Sequence, residues 1–214
     1  MSNFPAVQVA QVISSPNLPP DAARLRFKNM VAHGYIFTRE RTRDQARSAT
    51  DGRRTLLFSE GDILTAAVLS ELMDLGGLSR EAMQAAAMRL QGWVVGEVPS
   101  FDPETTKALQ AAADAGETLE IPGYRRPPES PALWMYQTFT EGKFAPPGFT
   151  LRISWQKPVA GGNGFCTAAV SHGDFGELGA GLFMAPDHVP VADLILPIDP
   201  ILLAVHARLE ALAA

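Results

Sequence analysis

The stretch DGRRTLLFSEGDILTAAVLSELMDLGGLS, Asp51 to Ser79, decides how the rest of the chain is read. Ser59 is a side chain that can accept from the free N–H groups of a helix start, and Asp62 stands three residues on, in the capping-box position. Glu60 and Asp62 also place negative charge at the positive end of a helix dipole. Ile63, Leu64, Ala67, Val68, Leu72 and Leu75 then recur at helical spacing and make a broad apolar face. Gly76 and Gly77 stop the helix. Ser79 caps a second one, REAMQAAAMRLQ, with Met83, Ala86, Ala87 and Leu90 turned inward. Upstream, TLLF is a short strand, and two arginines, Arg53 and Arg54, precede it.

Further upstream, YIFTRERTRDQARSATDGRRTLLF has apolar ends and a basic middle. It reads as two strands joined by a long charged tip, with TDG as a turn before the return strand. The middle also admits a helical turn. Before it, PDAARLRFKNMVAHG opens with Pro20 and Asp21, continues in good helix formers and closes at Gly34. Ala22, Leu25, Phe27 and Met30 are expected to face inward, with Arg24, Arg26 and Lys28 outward, and His33 is read as a helix-end residue. SPNLPP is a turn. PAVQVAQVISS sets Ala6, Val9, Ala10 and Ile13 at helical spacing, though Val7 and Val9 about Gln8 also fit a strand.

The chain has 214 residues, of which 46% are hydrophobic and 19% charged, enough to build a core. Its formal net charge of -5 conceals a segregation. Residues 1–57 hold nine Lys/Arg (Arg24, Arg26, Lys28, Arg39, Arg41, Arg43, Arg47, Arg53, Arg54) against four acids, a net +5; the rest is -10. Such a division suits a polyanion-facing part joined to a part with another task. The single cysteine, Cys166, leaves no internal disulfide and no multi-cysteine metal site, and reads as a small core residue. No segment has the length of a membrane span and no signal peptide is evident, so a cytoplasmic, nucleoid-associated protein is expected.

The order helix, turn, helix, basic hairpin, helix, helix resembles the MerR-type winged-helix DNA-binding domain over about residues 5–92. ARLRFKNMVAHGYI is similar to that family's second helix at Leu25, Arg26, Phe27, Gly34, Tyr35 and Ile36. The stretch from Asp51 is similar to its wing exit and third helix at Phe58, Ser59, Glu60, Asp62, Leu75 and Gly76. The resemblance implies sequence-specific binding of double-stranded DNA, by a transcriptional regulator or a phage-type DNA-binding factor. Lys or Arg paired to guanine and Asn paired to adenine are the usual readers in the major groove. Arg24, Arg26, Lys28 and Asn29 offer that chemistry on the second helix. Arg39, Arg41, Arg43 and Arg47 on the hairpin tip, and Arg53 and Arg54 at its base, suit phosphates or the minor groove.

In the second half, DPETTKALQAAADAG reads as a helix capped by Asp102, and IPGYRRPPESP as a linker-like loop. FTLRISWQ alternates Phe149, Leu151, Ile153 and Trp155 against Thr, Arg, Ser and Gln, a half-buried strand. FCTAAVSH, ELGAGLFMAP and DLILPI suggest further strands. DPILLAVHARLEALA is a closing helix with Asp199 as cap and Pro200 at the first position. The expected architecture is α+β: a winged helix-turn-helix domain, residues 1–95, followed by a small antiparallel-sheet and helix domain, residues 96–214. His172, Asp174, Asp187, His188 and His206 could be grouped as a metal cluster, and turn chemistry at strand ends explains His172, Asp174, Asp187 and His188 equally well. Without a nucleophile elbow, phosphate loop or metal motif, no catalytic residue, metal or cofactor is expected and the chain is not read as an enzyme. The alternatives are a protein-interaction adaptor on a winged-helix scaffold and, behind it, an enzyme using the C-terminal half. A homodimer, and a protein partner for the acidic half, are both compatible with the charge distribution.

Overall fold

The computed structural model describes residues 4–37, 56–92, 111, 130–142, 148–172, 176–178 and 187–213. Within them the chain is mixed α+β, with six helices and two small antiparallel sheets. In chain order these are β1 (Phe4–Pro5), α1 (Ala6–Ile13), α2 (Pro20–Ala32), β2 (Leu57–Phe58), α3 (Glu60–Leu75) and α4 (Arg80–Gln91). Then follow α5 (Pro131–Thr140), β3 (Phe149–Pro158), β4 (Phe165–His172), β5 (Gly176–Leu178), β6 (His188–Pro197) and α6 (Asp199–Ala213).

Helix α3 is the hub. Its start is the capping box expected from the sequence: Asp62 N–H donates to Ser59 Oγ (3.2 Å), and Ser59 N–H donates to Asp62 Oδ2 (2.9 Å). Ile63, Leu64, Ala66, Val68, Leu69 and Leu72 are all fully buried. The burial goes beyond one face, taking in Thr65, Ser70 and Asp62 as well, so this is an enclosed helix rather than an amphipathic surface one. Thr65 avoids an orphaned hydroxyl by donating to Gly61 O (2.8 Å). Leu75, expected on the apolar face, is exposed at the helix end. Helices α1, α2, α4, α5 and α6 all pack on α3.

Helix α2 ends in a Schellman motif. Gly34 takes φ +71°, its N–H donates to Val31 O, and Tyr35 N–H donates to Met30 O. The buried stripe of α2 is Ala23, Phe27 and Met30. Leu25 is 60% exposed and Ala22 is exposed, a correction to the expected inward face. The spacing of 23, 27 and 30 keeps Phe27 against Phe58 of β2, edge to face with centroids 4.9 Å apart, and that contact sets the rotation of the helix.

The expected hairpin between Tyr35 and Phe58 is changed where it is described. Tyr35–Phe37 forms no strand, and β2 pairs with β1, Phe4 opposite Phe58 and Pro5 opposite Leu57. Residues 38–55, with the remainder of the hairpin, lie outside the described residues.

The second sheet runs β5-β4-β3-β6, antiparallel throughout. Phe149, Leu151 and Ile153 of β3 face the helices as expected. Past Ile153 the alternation fails: a register shift between Trp155 and Gln156 accompanies burial of Ser154 and Gln156. The strand expected in ELGAGLFMAP is described only as β5, and DLILPI is the end of a longer strand, β6. Asp199 is the first residue of α6, and its carboxylate accepts the N–H of Phe149 at 2.7 Å, tying the start of β3 to the start of α6. A Cβ at Gly148 would fall on that carboxylate and displace it.

Helix α5 was not apparent in the sequence. It opens with Ser130 as cap and Pro131 at the first position, the usual start chemistry. Its aromatic and β-branched content masks the helical pattern. The helix expected at 102–116 and the loop IPGYRRPPESP lie outside the described residues, except Ala111, which is helical. The proposed boundary at residue 95 also lies outside them. The described parts on either side share one apolar core, in which Val12, Val68, Leu90, Met135, Leu151 and Val205 belong to a single cluster.

Two substitutions test this packing. A Cβ at Gly61 would stand 2.8 Å from both Cβ and backbone N of Leu133, where α3 and α5 cross at their first turns. Gly61→Ala is therefore expected to lower stability by about 1–3 kcal/mol through overpacking, despite the better helix propensity of alanine. Leu72→Ala, at a position with no exposure, is expected to cost about 2–5 kcal/mol. Urea unfolding of each variant measures both; a stabilised Gly61→Ala protein would remove the close approach of α3 and α5.

Candidate nucleic-acid interface

Four of the ten residues expected to contact DNA are described, all on α2. Arg39, Arg41, Arg43, Arg47, Arg53 and Arg54 lie outside the described residues. The four on α2 divide into two groups. Arg24, Lys28 and Asn29 are exposed, and no side chain among the described residues pairs with Arg24 or Lys28. Arg26 is differently placed. Its Nη1 donates to Ser70 Oγ (2.8 Å) and Ser70 O (3.2 Å), and its Nη2 lies 2.7 Å from Asp74 Oδ1. Arg26 thus ties α2 to α3 with both terminal nitrogens, and the fork of the guanidinium suits that two-sided bond.

A second clamp fixes where the chain leaves α2. The side-chain amide of Gln91, at the end of α4, donates to Tyr35 O and to Ala87 O, and its oxygen accepts the N–H of Phe37 at 2.7 Å. This buried glutamine holds the entry to the basic segment at 38–55 against the helical core. Sequence reading missed it, since one Gln at a helix end carries no pattern. Ser70 and Asp74 were missed as partners of Arg26 for a related reason. They lie one turn apart on α3, but their use depends on how α2 crosses it.

Beside α2 lies a groove of about 530 Å³. It is lined by Arg24, Phe27, Lys28 and Val31 of α2, and by Ala6, Leu56 and Phe58 across from them. Positions 24, 27, 28 and 31 form one helical stripe, so two cations and two apolar side chains share one wall.

Two histidines of the second half have described side chains, His188 and His206. His206 Nδ1 is 3.2 Å from the hydroxyl of Tyr136, and its Nε2 is 3.4 Å from Glu210. Burial raises the Tyr136 hydroxyl above its ordinary pKa, and the carboxylates of Glu60 and Glu210 add to the rise. The phenol is therefore held in its neutral form. His188 stacks edge to face on Phe165. Asp187 is exposed, while Asp174 and the side chain of His172 lie outside the described residues. Among the described residues no three His, Cys, Asp or Glu side chains are grouped to hold a metal ion. Cys166, half-buried, has its thiol pKa raised by burial, with Glu81 adding to the rise.

Arg26→Ala is expected to lower stability by about 1–3 kcal/mol, the scale of a charge-assisted hydrogen bond joined to a screened ion pair. Asp74→Ala should be partly redundant with it, and a double-mutant cycle should return a coupling of about 0.5–1 kcal/mol. A coupling of zero would separate the two side chains in solution. No protein-family model, no curated protein and no solved structure significantly matches the chain.

Proposed function

We propose that the chain binds double-stranded DNA in a sequence-specific manner, as a transcriptional regulator or a phage-type DNA-binding factor, with α2 as the helix that enters the major groove. The observation that carries this reading is the division of labour along α2. One side is locked to the core by Ala23, Phe27, Met30 and the Arg26 tether, while Arg24, Lys28 and Asn29 project outward. A reading helix must be held rigidly from behind while offering hydrogen-bond donors in front. Base contacts are assigned to Arg24, Lys28 and Asn29. Arg26 becomes the residue that sets the pose of the helix. The net +5 of residues 1–57 supplies the long-range attraction, and Arg39, Arg41, Arg43, Arg47, Arg53 and Arg54 are assigned to phosphates.

Selection of bound fragments from random duplex DNA tests the reading. A consensus should emerge, and affinity should fall with salt at a slope of about -0.9 per neutralised phosphate. On that consensus Arg24→Ala should cost about 1–3 kcal/mol and relax the preference at one base position. Arg41→Ala should weaken all sequences alike and flatten the salt slope by about one unit. If Arg24→Ala, Lys28→Ala and Arg41→Ala all leave binding intact in folded protein, the interaction does not run through α2 and the basic segment.

A further inference from the structure

The larger sheet has two edges of very different length. At one end β5 has three residues; at the other β6 has ten, from His188 to Pro197. The bond from Ile198 N–H to Phe149 O sets the phase in which β6 pairs with β3. Ala192, Leu194 and Leu196 turn their backbone groups toward β3, while Asp193, Ile195 and Pro197 turn theirs away. The N–H and C=O groups of Asp193 and Ile195 therefore point outward, and no backbone group among the described residues meets them. Val191 and Ile195 beside them are 54% and 62% exposed. Edge strands are commonly blunted by lysine, proline or a bulge. In β6 these devices stand at the flanks: Pro190 next to the irregularity at Val191, and Pro197 at the far end. Between them Ala192 to Leu196 holds neither proline nor lysine. The prolines confine further pairing to one short central stretch.

We infer that β6 pairs antiparallel with β6 of a second copy of the chain, about a two-fold axis at Leu194, joining two sheets into one. Symmetry and charge select this occupant and this register. About Leu194, Asp193 faces Ile195 of the second copy and Ile195 faces Asp193 of the second copy. These two reciprocal pairs take up every outward N–H of Asp193 and Ile195. Arg152 lies beside Ile195 on β3 and bonds Asp193 at 2.7 Å. Ile195 then stands between Arg152 of its own copy and Asp193 of the second, with opposite charges on its two sides. An axis at Asp193 would set two carboxylates directly opposite each other. An axis at Ile195 would bring Arg152 into one row with Arg152 of the second copy. On the inner face Leu194 meets Leu194, at a position where facing side chains come closest. So short a pairing gives a reversible dimer rather than an obligate one. The inference does not rest on DNA binding.

Sedimentation equilibrium of the whole protein should show monomer and dimer in a ratio that depends on concentration. Ile195→Pro removes an outward N–H and leaves the bonds to β3 in place, as Pro197 already does. It should weaken the dimer at least tenfold with the far-UV circular dichroism unchanged. Register is read by crosslinking in a Cys166→Ser background. Leu194→Cys should form a disulfide between copies, since an axis there brings the two Cβ atoms to about 4.5–5.5 Å. Ile195→Cys should not, because the two positions would lie two residues apart along the paired strands. If Ile195→Pro fails to fold, the crosslinks alone decide. A monomer at every concentration into the millimolar range would overturn the pairing and leave the edge to a foreign strand. A dimer indifferent to Ile195→Pro would overturn it as well, placing the contact elsewhere on the surface. So would crosslinking by Ile195→Cys in place of Leu194→Cys.

Discussion

Helix α3 has almost no side that faces water, and the architecture follows from that constraint. A sixteen-residue helix with eleven buried positions needs neighbours around its whole circumference. Residues before it contribute α1 and α2; residues after it contribute α4, α5 and α6. The polar groups that come along are each satisfied locally. Asp62 closes the capping box, Thr65 donates back along the helix, and Ser70 receives the Arg26 guanidinium. Left unpaired in such a place, any one of them would cost roughly 1–3 kcal/mol. The sheet takes part through α4, which packs on β4, and through the bond from Asp199 to the first residue of β3.

Much of this was legible from residue order because it rests on local chemistry. Ser59 and Ser79 begin helices since their hydroxyls accept from the backbone N–H three residues on, and Gly34 ends one since it takes a left-handed conformation. Such signals lie within a few residues of each other. The alternation in Phe149, Leu151 and Ile153 is equally local and gave the strand and its inner face. Legibility failed where distant partners decide. Leu25 belongs by hydropathy to the core, but Phe58 and Ser70 fix the rotation of α2, and that rotation turns Leu25 outward. Nothing near Leu57 reveals that its strand partner is Pro5.

The candidate site shows the same division. Spacing alone gathers four polar or basic residues on α2, and it cannot say which of them the protein spends on itself. Arg26 differs from Arg24 and Lys28 only in having Ser70 and Asp74 opposite it. A tethered arginine and a free one have the same side chain and different uses. In the proposed reading, the tether gives the reading helix its angle and its untethered neighbours meet the base edges. The clamp by Gln91 likewise fixes Tyr35 and Phe37, at the end of the described stretch that follows α2.

The enclosure of α3 also bears on the order in which the chain can acquire its structure. Arg208 of α6 donates to the carbonyl of Val12 in α1, across a separation of 196 residues. While the chain emerges from a ribosome, α1 to α4 are complete long before α5 and α6 exist to cover the rest of α3. Until then Gly61, which meets Leu133 of α5, and Ala67, which lies beside Ile201 and Val205 of α6, lack those neighbours. Nascent chains with such uncovered positions are prone to mistaken association, and late long-range contacts slow final closure. The helix that organises the finished protein is thus the part most in need of protection during synthesis.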